Sequence, residues 1–209
     1  MKDKITQKLR GVTIDRNDRI VKVTAILSGI GALGSLLLNI RAISVWTIIT
    51  IVTCLILTFV CLKKTTWTGW LLMTAFAISG IYQISITISA FGRFSAMIWP
   101  GILAICNFCL CAYLLGLVKT RYVPIAASIL VVSGTLYLRI RALWNFLAAS
   151  SAIKHANELI SGFVPSAPVT NQFLLPAHFS AILKAWPHVI MLVLLISKRL
   201  NYNQEENIL

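Results

Sequence analysis

The sequence predicts an all-α, polytopic membrane protein: a bundle of six transmembrane helices with both ends in the cytoplasm. Three observations predict it. Of 209 residues, 58% are hydrophobic and 12% charged, about half the charged share of a soluble domain, so most of the surface must face something apolar. The apolar residues fall in runs of about 20, the length a helix needs to cross a bilayer. All six acids (Asp3, Asp15, Asp18, Glu158, Glu205 and Glu206) lie outside those runs.

The first run covers residues 21–40 and ends at Arg41; the second covers 43–62 and ends at Lys63 and Lys64. Residues 67–91 end before Arg93, and 97–118 end at Lys119 and Arg121. Residues 122–143 form the fifth run and 179–197 the sixth, which Lys198 and Arg199 close. The chain thus divides into a basic amphipathic segment (1–19), a membrane domain (20–199) with a long outer loop (148–176), and a polar tail (200–209). With the N-terminus inside, 13 of the 19 Lys and Arg residues fall on the cytoplasmic side. Each cytoplasmic turn then carries a basic pair, as the positive-inside rule requires. A plasma-membrane location is expected.

The net charge of +13 sits at the ends of apolar runs. An anionic membrane surface explains that better than nucleic acid does. In the N-terminal segment Ile5, Leu9 and Val12 share a helical spacing among Lys4, Lys8 and Arg10, which suits either a helix lying on the inner leaflet or a solvated tail. No cleavable signal peptide is expected, since no small-residue cleavage site follows the first apolar run. In the outer loop Ile153, Ala156, Leu159, Ile160 and Phe163 share one helical face. That predicts an interfacial helix, followed by a return through Pro165, Pro168 and Pro176. Residues 34–42 resemble residues 134–142, either through duplication or because interfacial Trp and Arg anchors repeat in any such hairpin.

The absence of acids from the runs removes carboxylate proton relays, carboxylate metal sites and paired-carboxylate hydrolysis from the membrane core. Cys106, Cys109 and Cys111 resemble a metal motif in spacing alone, and no His accompanies them. Buried apolar filler is the simpler reading, so no metal or cofactor is expected. The Ser-Gly pairs at Ser28, Ser79 and Ser133 lack a buried acid to orient a base.

The sharpest candidates lie near the outer face. Arg41, Arg93, Arg139, Arg141 and Lys184 gather there with Trp46, Trp99, Trp144 and Trp186. Such a group either binds an anion, with the aromatic faces holding cations, or consists of long side chains reaching their own headgroup layer. Arg139 and Arg141 point to different helix faces. In the last run Lys184 and His188 are one turn apart, His178 precedes them, and Pro187 predicts a kink. Gln83 and Asn107 lie near mid-span, where they hydrogen-bond between helices or hold a ligand. The small residues Ala25, Gly29 and Ala32 make a face for close helix packing, inside the chain or against a partner membrane subunit.

The expected function is transport-related: a carrier, or the substrate-binding membrane subunit of a transporter, that takes an anionic or amphiphilic ligand from the outer face. Its binding residues would be Arg41, Arg93, Arg139, Arg141, Lys184, His188, Trp186, Gln83 and Asn107. Membrane lipids are the expected surroundings, and nucleic acid is not an expected partner. A non-catalytic structural or regulatory subunit is the second expectation, and a lipid-modifying enzyme the third.

Overall fold

A computed structural model of the chain describes residues 6, 9, 11–40, 43–63, 65–160 and 174–202. Polar residues at the ends of the apolar runs set the first helix starts. The Asp18 carboxylate accepts from Ile20 N at 2.6 Å and opens α1, Arg19–Leu38. The Ser44 hydroxyl accepts from Thr47 N at 3.2 Å and opens α2, Val45–Leu62. Each cap satisfies a backbone donor that the first helical turn leaves free. α3 (Thr68–Ser89), α4 (Phe94–Leu114) and α5 (Tyr122–Ile160) follow after short turns. Two shorter helices, α6 (Leu174–Leu183) and α7 (Trp186–Ile196), complete the bundle.

Among the described residues, five helices are long and apolar enough to cross a membrane: α1 to α4, and the Tyr122–Phe146 part of α5. Their exposure is inverted relative to a soluble protein. On α1, Ile26 (63%) and Leu37 (67%) are exposed, whereas Thr24, Ser28 and Ser35 are buried. A chain with apolar outside and hydroxyls inside suits hydrocarbon surroundings. The chain is therefore an all-α, multi-pass membrane protein.

The helices pack in pairs, α1 on α2, α3 on α4 and, across α6 in sequence, α5 on α7, with α7 also against α1 and α2. Short turns reverse the chain at each step. Arg19, Leu62, Thr68, Leu114 and Tyr122 thus gather at one end, and Leu38, Val45, Ser89 and Phe94 at the other, called here the distal end.

The first end is closed by a two-stranded antiparallel sheet of β1 (Val12–Ile14) and β2 (Leu200–Tyr202), with Ile14 opposite Leu200. Leu9, Val12, Ile14 and Leu200 are buried there with Leu57, Val60 and Leu114. In water such burial stabilises by roughly 1.5–3 kcal/mol per large side chain, enough to hold both chain ends on the bundle. Arg199 ties the strands to α1, reaching Asp18 at 2.5 Å and Asp15 at 3.5 Å. The Arg16 guanidinium donates to Val60 O (3.0 Å), Ile14 O (3.1 Å) and Thr68 Oγ1 (3.1 Å). It joins the end of α2, the sheet and the start of α3.

The structure corrects three expectations. Thr6 and Leu9 are helical, but Val12 belongs to a strand and is buried rather than facing headgroups. Strand pairing with residues far along the chain outweighs the local helical spacing. Second, the helix of the fifth run does not end near Leu143 but continues to Ile160, past the Tyr122–Phe146 stretch that is apolar enough to cross a membrane. Apolarity ended there, whereas helix propensity did not: alanines are frequent and no Gly or Pro occurs until Gly162. Third, the sixth run is two helices, broken between Leu183 and Trp186. Pro187 has no amide hydrogen and sits in the first turn of α7, where none is needed.

The small-residue face of α1 makes contacts inside the chain. Ala25 and Ala32 are buried. Gly29 faces Thr58 of α2. Ser28 Oγ donates to Cys54 O at 2.8 Å, and the Trp186 ring lies directly on Gly31, where a Cβ would collide with it. Trp186 Nε1 donates to Leu27 O at 2.9 Å in the same contact. Residues 161–173 and 203–209, and with them Phe163, Pro165 and Pro168, lie outside the described residues.

Candidate functional site

Antiparallel packing brings mid-helix polar residues of several spans to one depth. α3 supplies Ser79 and Gln83, α4 supplies Trp99 and Asn107, and α5 supplies Thr135 and Arg139. Trp46 comes from the distal end of α2, and the break between α6 and α7 supplies Lys184 and His188. Together they line a cavity of about 80 Å³ in the distal half of the bundle. At roughly 10–15 Å³ per water, it has room for several waters or one small solute. A smaller pocket of about 20 Å³ adjoins it and shares Trp46, Ser79, Asn107, Lys184 and His188.

Three side chains leave buried polar atoms without a protein partner at this cavity. They are Gln83 Oε1, Asn107 Oδ1 and His188 Nδ1, and their residues are 1%, 2% and 5% exposed. Such a group costs about 1–3 kcal/mol unless water or a ligand satisfies it. Ser35 and Ser128 also have unpartnered hydroxyls, but neither lines the cavity. The Asn107 amide is oriented by its own helix, because Nδ2 donates to Leu103 O at 2.7 Å. The His188 ring packs edge-on against Phe76, with centroids 5.6 Å apart.

Electrostatics give the cavity its sign. The Lys184 ammonium lies 5.1 Å from the centre of the Trp46 ring, and that ring meets Tyr82 edge-on at 6.3 Å. Arg139 lines the same space, near enough for the two cations to repel one another. No lining residue is acidic. Asp15 and Asp18 are at the opposite end, engaged with Arg199, and Glu158, on the far part of α5, is not among the lining residues. A half-buried Lys184 beside an exposed Arg139, with no carboxylate in the lining, attracts anions, since no fixed negative charge at the cavity offsets theirs.

Of the residues picked out in the sequence, Gln83, Asn107, Arg139, Lys184 and His188 converge here. Arg93 and Arg141 are exposed and do not line the cavity. Trp186 packs on α1 instead. Arg41 lies outside the described residues, as does the side chain of His178. Cys111 turns to α3, its thiol donating to Met73 O at 3.6 Å; among the described residues no His, Cys, Asp or Glu cluster suits a metal.

Ser79 and Thr135 escaped a site reading of the sequence, and Trp46 and Trp99, read there as aromatic faces beside the outer cations, form walls of the cavity. Both tryptophans look like interfacial anchors. The signal for Trp99 was a glycine elsewhere. Its ring lies on Gly134 of α5, where a Cβ would collide with it, so the pair brings α4 and α5 together beside Pro100.

Comparison with protein-family models, with curated proteins and with solved structures gives no match for this chain.

Proposed function

We propose that this chain is a transport-related protein of the plasma membrane, a carrier or the substrate-binding membrane subunit of a transporter, that takes an anionic or amphiphilic ligand from the outer face. The observation that carries the reading is the pairing of Lys184 with Arg139 in a polar cavity that no acid lines. The cavity's size suits a small anion or the charged group of a larger amphiphile. Gln83, Asn107 and His188 supply the polar atoms that would orient it.

In this reading α6 and α7 together make the sixth crossing, interrupted at the site by Lys184 and Ala185. The β1–β2 pairing supports an even number of crossings, because it joins the chain before α1 to the chain after α7. The basic residues Arg16, Arg19, Lys63, Lys119, Arg121, Lys198 and Arg199 accumulate at the sheet end. That supports a cytoplasmic sheet end and an outward cavity. A helix broken at a polar site near mid-membrane is a recurring way to line a solute path. Without a carboxylate to carry protons, the driving force would come from a partner, another ion or the ligand's own gradient.

A thermal-shift screen of the purified protein with small anions tests the reading. We expect at least one anion to raise the melting temperature of the wild type and not of Lys184→Gln. A panel without any shift, or an equal shift in the variant, would contradict it.

A further inference from the structure

We propose that the cavity selects small anions that bring a hydrogen-bond donor of their own, such as hydrogen phosphate or a hydroxycarboxylate, over aprotic anions of the same shape and charge class. This inference rests on the reading of the cavity as an anion site and specifies its substrate.

Asn107 carries it. Many buried amides can be reversed end for end without a structural consequence, but this one cannot. Its Nδ2 is 2.7 Å from Leu103 O; reversal would set two oxygen acceptors against each other at that distance. Oδ1 is therefore the atom left over. It is buried, without a protein partner, and on a residue that lines the cavity. An acceptor in that position is satisfied by an O–H or N–H group of the solute. Gln83 and His188 add polar capacity, but amide reversal and tautomer choice let each present either a donor or an acceptor. Asn107 has its polarity fixed.

The two kinds of group demand different things of one solute. Lys184 and Arg139 require negative charge, which sulfate, acetate and hydrogen phosphate all provide. Asn107 Oδ1 requires a proton, which sulfate and acetate lack at neutral pH. An aprotic anion drawn in by the cations would place oxygen lone pairs against Oδ1 and leave it desolvated. A site that hydrogen-bonds a substrate hydroxyl discriminates strongly against the analogue without one, since its own buried group is left unpaired.

Equilibrium dialysis of the purified full chain at pH 7 against two matched pairs tests this: hydrogen phosphate with sulfate, and glycolate with acetate. We expect the donor-bearing member of at least one pair to bind about tenfold or more tightly. In Asn107→Leu that preference should collapse, with the aprotic member's Kd nearly unchanged. Equal binding within both pairs, or preference for the aprotic members, would overturn the inference and leave the anion site standing. If none of the four binds, and Lys184→Gln behaves as the wild type, the anion reading falls and takes this inference with it. Should Asn107→Leu fail to fold, the wild-type comparison alone decides.

Discussion

Lys184 holds its ammonium 5.1 Å from the centre of the Trp46 ring, a cation resting on an aromatic face where a buried charge would ordinarily meet a carboxylate. An aromatic face attracts the cation without neutralising it, so the charge stays available to a ligand. We expect Trp46→Leu to weaken anion binding by roughly 0.5–2 kcal/mol, the usual range for such a contact. Lys184→Gln should cost more, because it removes the charge itself. Binding isotherms of the two variants against the wild type check the order.

Gly31 and Gly134 each lie under a tryptophan ring, Trp186 and Trp99 respectively. A methyl group at either position forces the ring aside, and overpacking of this kind costs about 1–3 kcal/mol. Thermal unfolding in detergent should show Gly31→Ala and Gly134→Ala both destabilised. Their effects on binding should differ: Trp99 lines the cavity and Trp186 does not, so only Gly134→Ala should also alter anion affinity.

Arg16 donates three hydrogen bonds, to Val60 O, Ile14 O and Thr68 Oγ1. Hydrogen bonds from a charged donor each contribute about 1.5–3 kcal/mol, and partial exposure reduces the sum. Arg16→Gln should lower stability by about 2 kcal/mol in denaturant unfolding. Arg16→Lys should recover little of it, since a single ammonium cannot meet three acceptors arranged for a planar fork.

Sided labelling checks the crossings. In a variant without the native cysteines, Thr13→Cys of β1 should react from the cytoplasmic side, and Phe91→Cys, in the exposed turn between α3 and α4, from outside. Reaction of both from one side would contradict the proposed layout.

The long helices were legible because a bilayer imposes one length and one composition on each span. α1 to α4 therefore fall close to their apolar runs. The register of polarity was legible too: Gln83 and Asn107 had to face inward, and they do. What stayed hidden depended on contacts across the chain. The strands Val12–Ile14 and Leu200–Tyr202 are three residues each, too short for an alternating pattern, and they exist by pairing over the length of the sequence. The extension of α5 was hidden because hydropathy marks where a span leaves the bilayer, not where its helix stops.

The site was half legible for a similar reason. Spacing alone separated Arg139 from Arg141, since residues two apart on a helix point to different faces, but which one turns inward depends on the neighbouring helices. Trp46 and Trp99 carried the same composition signal as Trp186, although only the first two line the cavity. A tryptophan at a span end is an anchor by default, and only the packed bundle distinguishes a wall from an anchor.

The most direct measurement is a hydrogen phosphate titration of the wild type beside two double variants. One removes the cavity cations, Lys184→Gln with Arg139→Gln. The other removes exposed cations of the same end, Arg93→Gln with Arg141→Gln. We expect a saturable isotherm near one anion per chain in the wild type, abolished in the cavity variant and unchanged in the rim variant. Loss of binding in the rim variant alone, or a cavity variant that binds as the wild type does, would contradict an anion held between α5 and the break before α7.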